Sequence, residues 1–279
     1  MGETAGNAAP RPGLIEAALR GHRSIAIAGL ALVSLAAWAF VLLGSGTGMS
    51  IGSMSTWQFP PPAARPAISG EWTPAWWGLM LTMWWVMMVA MMLPTAAPMI
   101  LLVGQVSRRA RSGGKGGLSV GWLAAGYCMA WLGFSLVAVG LQFALEQAGL
   151  VHGMLMWSLD PWLSATLLIA AGLYQFTPLK HACLLRCRSP VTFLVERRRK
   201  GVAGALELGL THGLYCVGCC WALMALLFVG GIMNLVWIAG LTMVVLLEKL
   251  SPNPRPVSVG FGVLCLVAGG YVLATGGTF

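Results

Sequence analysis

Charged side chains are scarce in this sequence: 9% of its 279 residues are Asp, Glu, Lys or Arg, where a soluble domain carries about a quarter. That shortage excludes the one large or two ordinary soluble domains that the length would allow, because such a surface could not be kept in water. Long polar stretches are missing as well. Segment 44–73, rich in Gly, Ser and Pro, is too small to fold as a separate domain, so the function is expected within the bilayer. The first apolar run is longer than a signal-peptide core, and no small-x-small cleavage pattern precedes the polar stretch, which makes it a retained helix. The formal charge of +9 would suggest nucleic acid in a soluble protein. Here the basic residues sit in short gaps between apolar runs, where they set topology, and no nucleic-acid partner is expected.

What the sequence has in quantity is hydrophobic residues, 58% of the chain. Apolar runs can be read at 25–43, 75–103, 120–145, 159–177, 202–229, 232–247 and 257–273, and a helix needs about 20 residues to cross the hydrocarbon. The sixth run is short, parted from the fifth only by Gly230-Gly231. On one side of these runs fall Arg11, Arg20, Arg23, Arg108, Arg109, Arg111, Lys115, Lys180, Arg186, Arg188, Arg197, Arg198, Arg199, Lys200, Lys249 and Arg255; the other side has Arg65 alone. By the positive-inside rule the first side is cytoplasmic. The predicted fold is all-α: a polytopic bundle of about seven transmembrane helices with its N-terminus in the cytoplasm. It forms a single integral membrane domain over 1–279, in a bacterial inner membrane. Segment 1–23 is then cytoplasmic, 44–73 extracytoplasmic, and 179–201 a basic cytoplasmic stretch.

Hydrocarbon disfavours polar groups, so the residues that interrupt apolar monotony are the informative ones. Met80, Met83, Met87, Met88, Met91 and Met92 crowd the second run. Spacings of three and four put Met80, Met83, Met87 and Met91 along one helix stripe with Met88 and Met92 beside it. Methionine also fills gaps in any apolar core, so packing alone accounts for the stripe equally simply. Pro94 and Pro98 remove hydrogen bonds from the same helix, and the freed carbonyls must face protein or a polar cavity.

In the fifth run His212, Cys216 and Cys219 fall within roughly 60° of one another around a helix, with Cys220 at the sector's edge. Gly209, Gly213, Cys216 and Cys220 form a small-residue stripe along which another helix can come close. If both helices cross the bilayer, the Met and Cys groups lie near one midplane. Thioether, thiolate and imidazole together favour a soft ion, Cu(I) first and zinc second, over Mg or Ca. After the fourth run, Cys183 and Cys187 are one helical turn apart, with His181 close by. Lys180, Arg186 and Arg188 would favour their thiolates. An interfacial helix that binds anionic headgroups is the competing reading of that segment. Outside, His152, Met154 and Met156, and more loosely Met49 and Met54, offer soft ligands, though a loop dipping into headgroups explains them as well. Glu207 faces away from the Cys sector, and Glu248 and Lys249 are expected to reach headgroups or each other.

Three motifs, W-x-x-M-x-x-A-M-M-x-P from Trp84 to Pro94, Y-Q-x-T-P-L-K-x-x-C-L-x-x-C-R from Tyr174 to Arg188, and G-x-x-C-x-G-C-C-W ending at Trp221 and followed later by Glu248-Lys249, run through the chain. In these the sequence resembles a bacterial family of predicted metal-binding integral membrane proteins, catalogued as domain of unknown function 2182. The resemblance implies a multi-helix membrane protein that binds metal, with Met87, Met88, Met91, Met92, Cys183, Cys187, Cys216, Cys219 and Cys220 as the positions carried over. Met83, His212 and the outer His152 group rest on spacing alone. The expected function is Cu(I) binding at a Met/Cys site for transfer or delivery, with the lipid bilayer and a metallochaperone or second membrane protein as partners. A metal- or thiol-dependent oxidoreductase and an assembly scaffold are the alternatives.

Overall fold

The computed structural model describes residues 14–55, 72–111, 120–153, 156–189 and 201–275, and it is all-helical, with no strand among them. The helices are α1 (Leu14–Leu42), α2 (Ile51–Met54), α3 (Pro74–Arg111), α4 (Val120–Gln147), α5 (Pro161–Gln175), α6 (Pro178–Arg188), α7 (Gly201–Ala225), α8 (Leu227–Gly230), α9 (Leu235–Leu250) and α10 (Arg255–Thr275). Each of the seven apolar runs overlaps at least one of them.

Five segments are long and apolar enough to cross a membrane: Ser24–Leu42, Pro74–Val103, Val120–Gln147, Gly201–Gly230 and Arg255–Thr275. α5 has 15 residues and α9 has 16. At about 1.5 Å per residue, each falls short of a hydrocarbon core about 30 Å thick. α5 and α6 pass the same apolarity test only as a pair, bent by 64°. The bend has a local cause. Pro178 cannot continue α5, because it lacks an N–H and restricts the residue before it. It instead opens α6 at the first helical position, where Thr177 caps the turn by accepting from Lys180 N at 3.3 Å. Among the described residues, membrane-length helices thus number five, or six with the bent pair, against the seven crossings expected. Much of the basic-residue count lies outside the described residues, at Arg11, Arg65, Lys115 and Arg197 to Lys200.

Large apolar side chains stand exposed on several helices, among them Ile25, Leu32 and Leu35 on α1, Leu136 and Val137 on α4, and Leu264 and Val267 on α10. In water such a surface would be an aggregation liability; facing lipid it is ordinary. Inside, α4 and α7 meet backbone to backbone. A Cβ on Gly209 would lie 2.0 Å from the Leu123 carbonyl oxygen, one on Gly126 would lie 2.2 Å from that of Leu206, and one on Gly213 would lie 2.5 Å from Ala130 Cβ. The small-residue stripe of α7 therefore has its partner in α4. α3 leans on the other side of α4 and on α1, and its methionine face fills the interior.

Candidate metal centre

Cys216, Cys219 and Cys220 are all buried in the interior. One helical turn separates Cys216 from the other two, close enough for the Cys219 and Cys220 thiols to donate to the Cys216 carbonyl at 3.1 and 2.9 Å. Three other helices bring groups to this sector. From α4, the Tyr127 hydroxyl lies 3.0 Å from Cys216 Sγ and also donates to the Met92 carbonyl at 3.0 Å. From α3, Met92 Sδ lies 3.9 Å from Cys220 Sγ. From the end of α9, Lys249 Nζ donates to Cys216 Sγ and to Thr95 Oγ1, each at 2.9 Å. A half-buried ammonium is favoured by an anionic partner. Of the groups it touches, the Cys216 sulfur is the one that can carry negative charge.

The bend between α5 and α6 adds a fourth thiol. It turns α6 onto α7, so that buried Cys187 comes into the neighbourhood of Cys216 and Cys219. One turn earlier, half-buried Cys183 packs over Gly218, its Sγ 2.9 Å from where a Cβ would stand, a contact that only glycine permits. The cytoplasmic thiols and the mid-helix thiols, read from the sequence as separate groups, are thus one cluster. Among the described residues no three His, Cys, Asp or Glu side chains are already arranged around a single ion position. The Cys219 and Cys220 thiols bond backbone, and a thioether completes the set.

The basic residues of α6 also have partners of their own. Lys180 Nζ pairs with Glu248 Oε1 at 2.6 Å, both side chains buried, and Ser258 Oγ donates to the same oxygen at 2.9 Å. Arg188 caps the end of α9 through the carbonyls of Glu248, Ser251 and Pro252. Arg186 reaches the Tyr215 hydroxyl at 3.1 Å and lies over its ring. Lys249 occupies the place near sulfur that these three were expected to take. Glu248 and Lys249 are adjacent in sequence but serve different neighbours, rather than headgroups or each other.

The model of one protein family, described as PpoB2, a copper chaperone, matches residues 81–272. The chain belongs to the PpoB2 copper chaperone family. No curated protein and no solved structure gave a match. The PpoB2 region takes in all the helices that meet at the thiol cluster, while α1 and α2 precede it. It extends the expectation of a metal-binding family to copper, and nothing in it supports zinc as the second choice.

Within the PpoB2 region the other candidates lie apart from the thiols or beside them. Met83, Met87, Met88 and Met91 are buried core residues of α3, and Met92 is the methionine whose sulfur accepts from a cysteine thiol. The His212 ring packs against Tyr127, with centroids 5.6 Å apart, and so backs the tyrosine that touches Cys216. His181 is on the exposed side of α6. His152 and Met156 are buried in the loop before α5, where His152 packs on Trp157 at 5.9 Å. Burial holds that imidazole below its ordinary pKa, hence neutral. Met154 lies outside the described residues. Sequence reasoning did not single out Tyr127 or Thr95, which carry no motif signal. It misread Lys249, because a lysine at the end of an apolar run looks like one that snorkels to the interface.

Proposed function

We propose that this protein is a membrane-embedded copper carrier whose cargo, Cu(I), is held by sulfur from Cys216, Cys219, Cys220 and Cys187 together with Met92, and is passed to a protein acceptor. The observation that carries the reading is the convergence of thiols from α6 and α7 with the α3 thioether at a single buried place, Met92 Sδ being 3.9 Å from Cys220 Sγ. Thiolate and thioether are the donors that select Cu(I), and the family match supports copper. Cu(I) on two thiolates carries a net negative charge, and the Lys249 ammonium beside Cys216 returns the site to neutrality within an apolar bundle. Cys183, the more exposed of the α6 thiols, is the first sulfur an incoming ion meets. In this proposal the chain lies in a bacterial inner membrane with its N-terminus inside. That orientation is supported by the sixteen basic residues on one side against Arg65 on the other. In it the bent α5–α6 pair crosses as one broken helix and α9 as a helix shorter than the hydrocarbon is thick.

Detergent-purified protein loaded anaerobically with Cu(I) and challenged with a chromogenic chelator tests the proposal. Wild-type protein should retain copper that a Cys216→Ser, Cys219→Ser, Cys220→Ser triple variant releases. Equal retention by the two proteins would overturn it.

A further inference from the structure

Away from the sulfur cluster, a cavity of about 380 Å³ opens where the α5–α6 bend meets the start of α10. Its lining combines features that point to one class of ligand. The first turns of α6 and α10 both border it, through Thr177 and Pro178 on one side and Pro254 and Arg255 on the other. First-turn N–H groups have no carbonyl within their own helix, and they carry the positive end of the helix dipole. Of these N–H groups, that of Lys180 is taken by Thr177 Oγ1 and that of Arg255 by Asn253 Oδ1, so what the two helix starts offer an anion is chiefly their dipoles.

The charges around the space add to this. Arg255 and His181 line the cavity, are exposed, and have no side-chain partner among the described residues. Lys180 and Ser258 also line it, but both are committed to Glu248, so that pair contributes no net charge. Gln175, 6% exposed, is part of the wall, and neither end of its amide has a hydrogen-bond partner. A buried amide left this way is rare in native proteins and marks a place where a further donor or acceptor belongs. Phe176 and Val259, both well exposed, give the cavity an apolar side.

We propose that this cavity binds a phosphate group, with the Arg255 guanidinium and the His181 ring as side-chain donors and the starts of α6 and α10 as its electropositive floor. The apolar side suits a phosphate carried on a phospholipid, because Phe176 and Val259 would then lie against glycerol and acyl chain. Soluble phosphate offers the same polar chemistry without that contact. The site uses none of the copper-binding sulfurs, so it stands or falls independently of the copper reading.

The test compares wild-type protein with an Arg255→Gln, His181→Gln variant in nanodiscs of phosphatidylcholine alone and of phosphatidylcholine mixed with phosphatidylglycerol. Bound lipid is then counted by native mass spectrometry. Unchanged thermal melting of the variant in phosphatidylcholine alone shows that the fold is intact, as expected for two exposed positions. Wild type should retain phosphatidylglycerol preferentially, and the variant should retain about fivefold less. A parallel arm adds inorganic phosphate to the phosphatidylcholine discs. A rise in melting temperature for wild type but not the variant, without lipid preference, would assign the site to soluble phosphate. Wild-type protein that neither prefers phosphatidylglycerol nor responds to phosphate overturns the proposal whatever the variant does. So does a folded variant that matches wild type in both arms.

Discussion

Met80 and Met92 occupy the same helix, three turns apart, and both are fully buried, yet their surroundings differ in kind. Met80 Sδ accepts from Gln142 Nε2 at 3.6 Å inside a network where Trp84 donates to Gln142 at 2.8 Å, Gln142 to Glu146 at 2.8 Å and Trp72 to Glu146 at 3.0 Å. Every polar partner there is an ordinary donor or acceptor, and the sulfur merely completes the set. Met92 Sδ faces the Cys220 thiol, with Cys216, Tyr127 and Lys249 next in line. The difference teaches that methionines of one stripe can have unlike surroundings: what other helices place against each sulfur sets its neighbours.

Four experiments would break or sharpen that contrast. The largest effect is expected in stability. Lys180→Met leaves the Glu248 carboxylate buried and unpaired and should destabilise the protein by about 3–5 kcal/mol. At the other end of the bundle Trp72→Phe removes one hydrogen bond to a partly exposed carboxylate, for about 1 kcal/mol. Thermal melts in detergent would rank the two, and adding Glu248→Leu to Lys180→Met should recover most of the loss. Next comes Cys216→Ser, expected to weaken Cu(I) retention about a hundredfold in chelator competition, equivalent to about 2.8 kcal/mol. Met92→Leu should lower copper affinity about tenfold, whereas Met80→Leu should leave it unchanged; equal losses would erase the distinction drawn between the two ends. The smallest effect concerns His152. Its folded-state pKa is depressed, so the unfolded chain takes up the proton first, and stability held above about pH 6.5 declines as pH falls below it. His152→Gln should flatten that decline in melting temperature and leave copper retention unaffected.

Helical character, the membrane-like surface and the sulfur-rich segments were all legible in residue order, because hydropathy and a 3.6-residue period are local properties. The small-residue stripe of α7 was legible too, though not that α4 would be its partner. What residue order could not supply was the 64° turn at Phe176 and Thr177. Pro178 marks a break, but the angle depends on the α6–α7 contact at Gly218. Without it, Cys183 and Cys187 read as a separate cytoplasmic pair. Lys249 was misread for a related reason. Where a lysine stem points is set by α9 being only 16 residues long and leaning on α3, and nothing in the Glu-Lys dipeptide reports that. The ring contacts of His212 with Tyr127 and of His152 with Trp157 were likewise not legible in residue order.

The glycine contacts between α4 and α7 carry a mechanical consequence. Two backbones held so close that a single methyl group would collide with a carbonyl cannot slide or part without losing the whole seam. That pair is the fixed post of the molecule. Under the copper proposal, a route for an ion to the cysteines then runs beside the short helices α6 and α9 rather than through that seam.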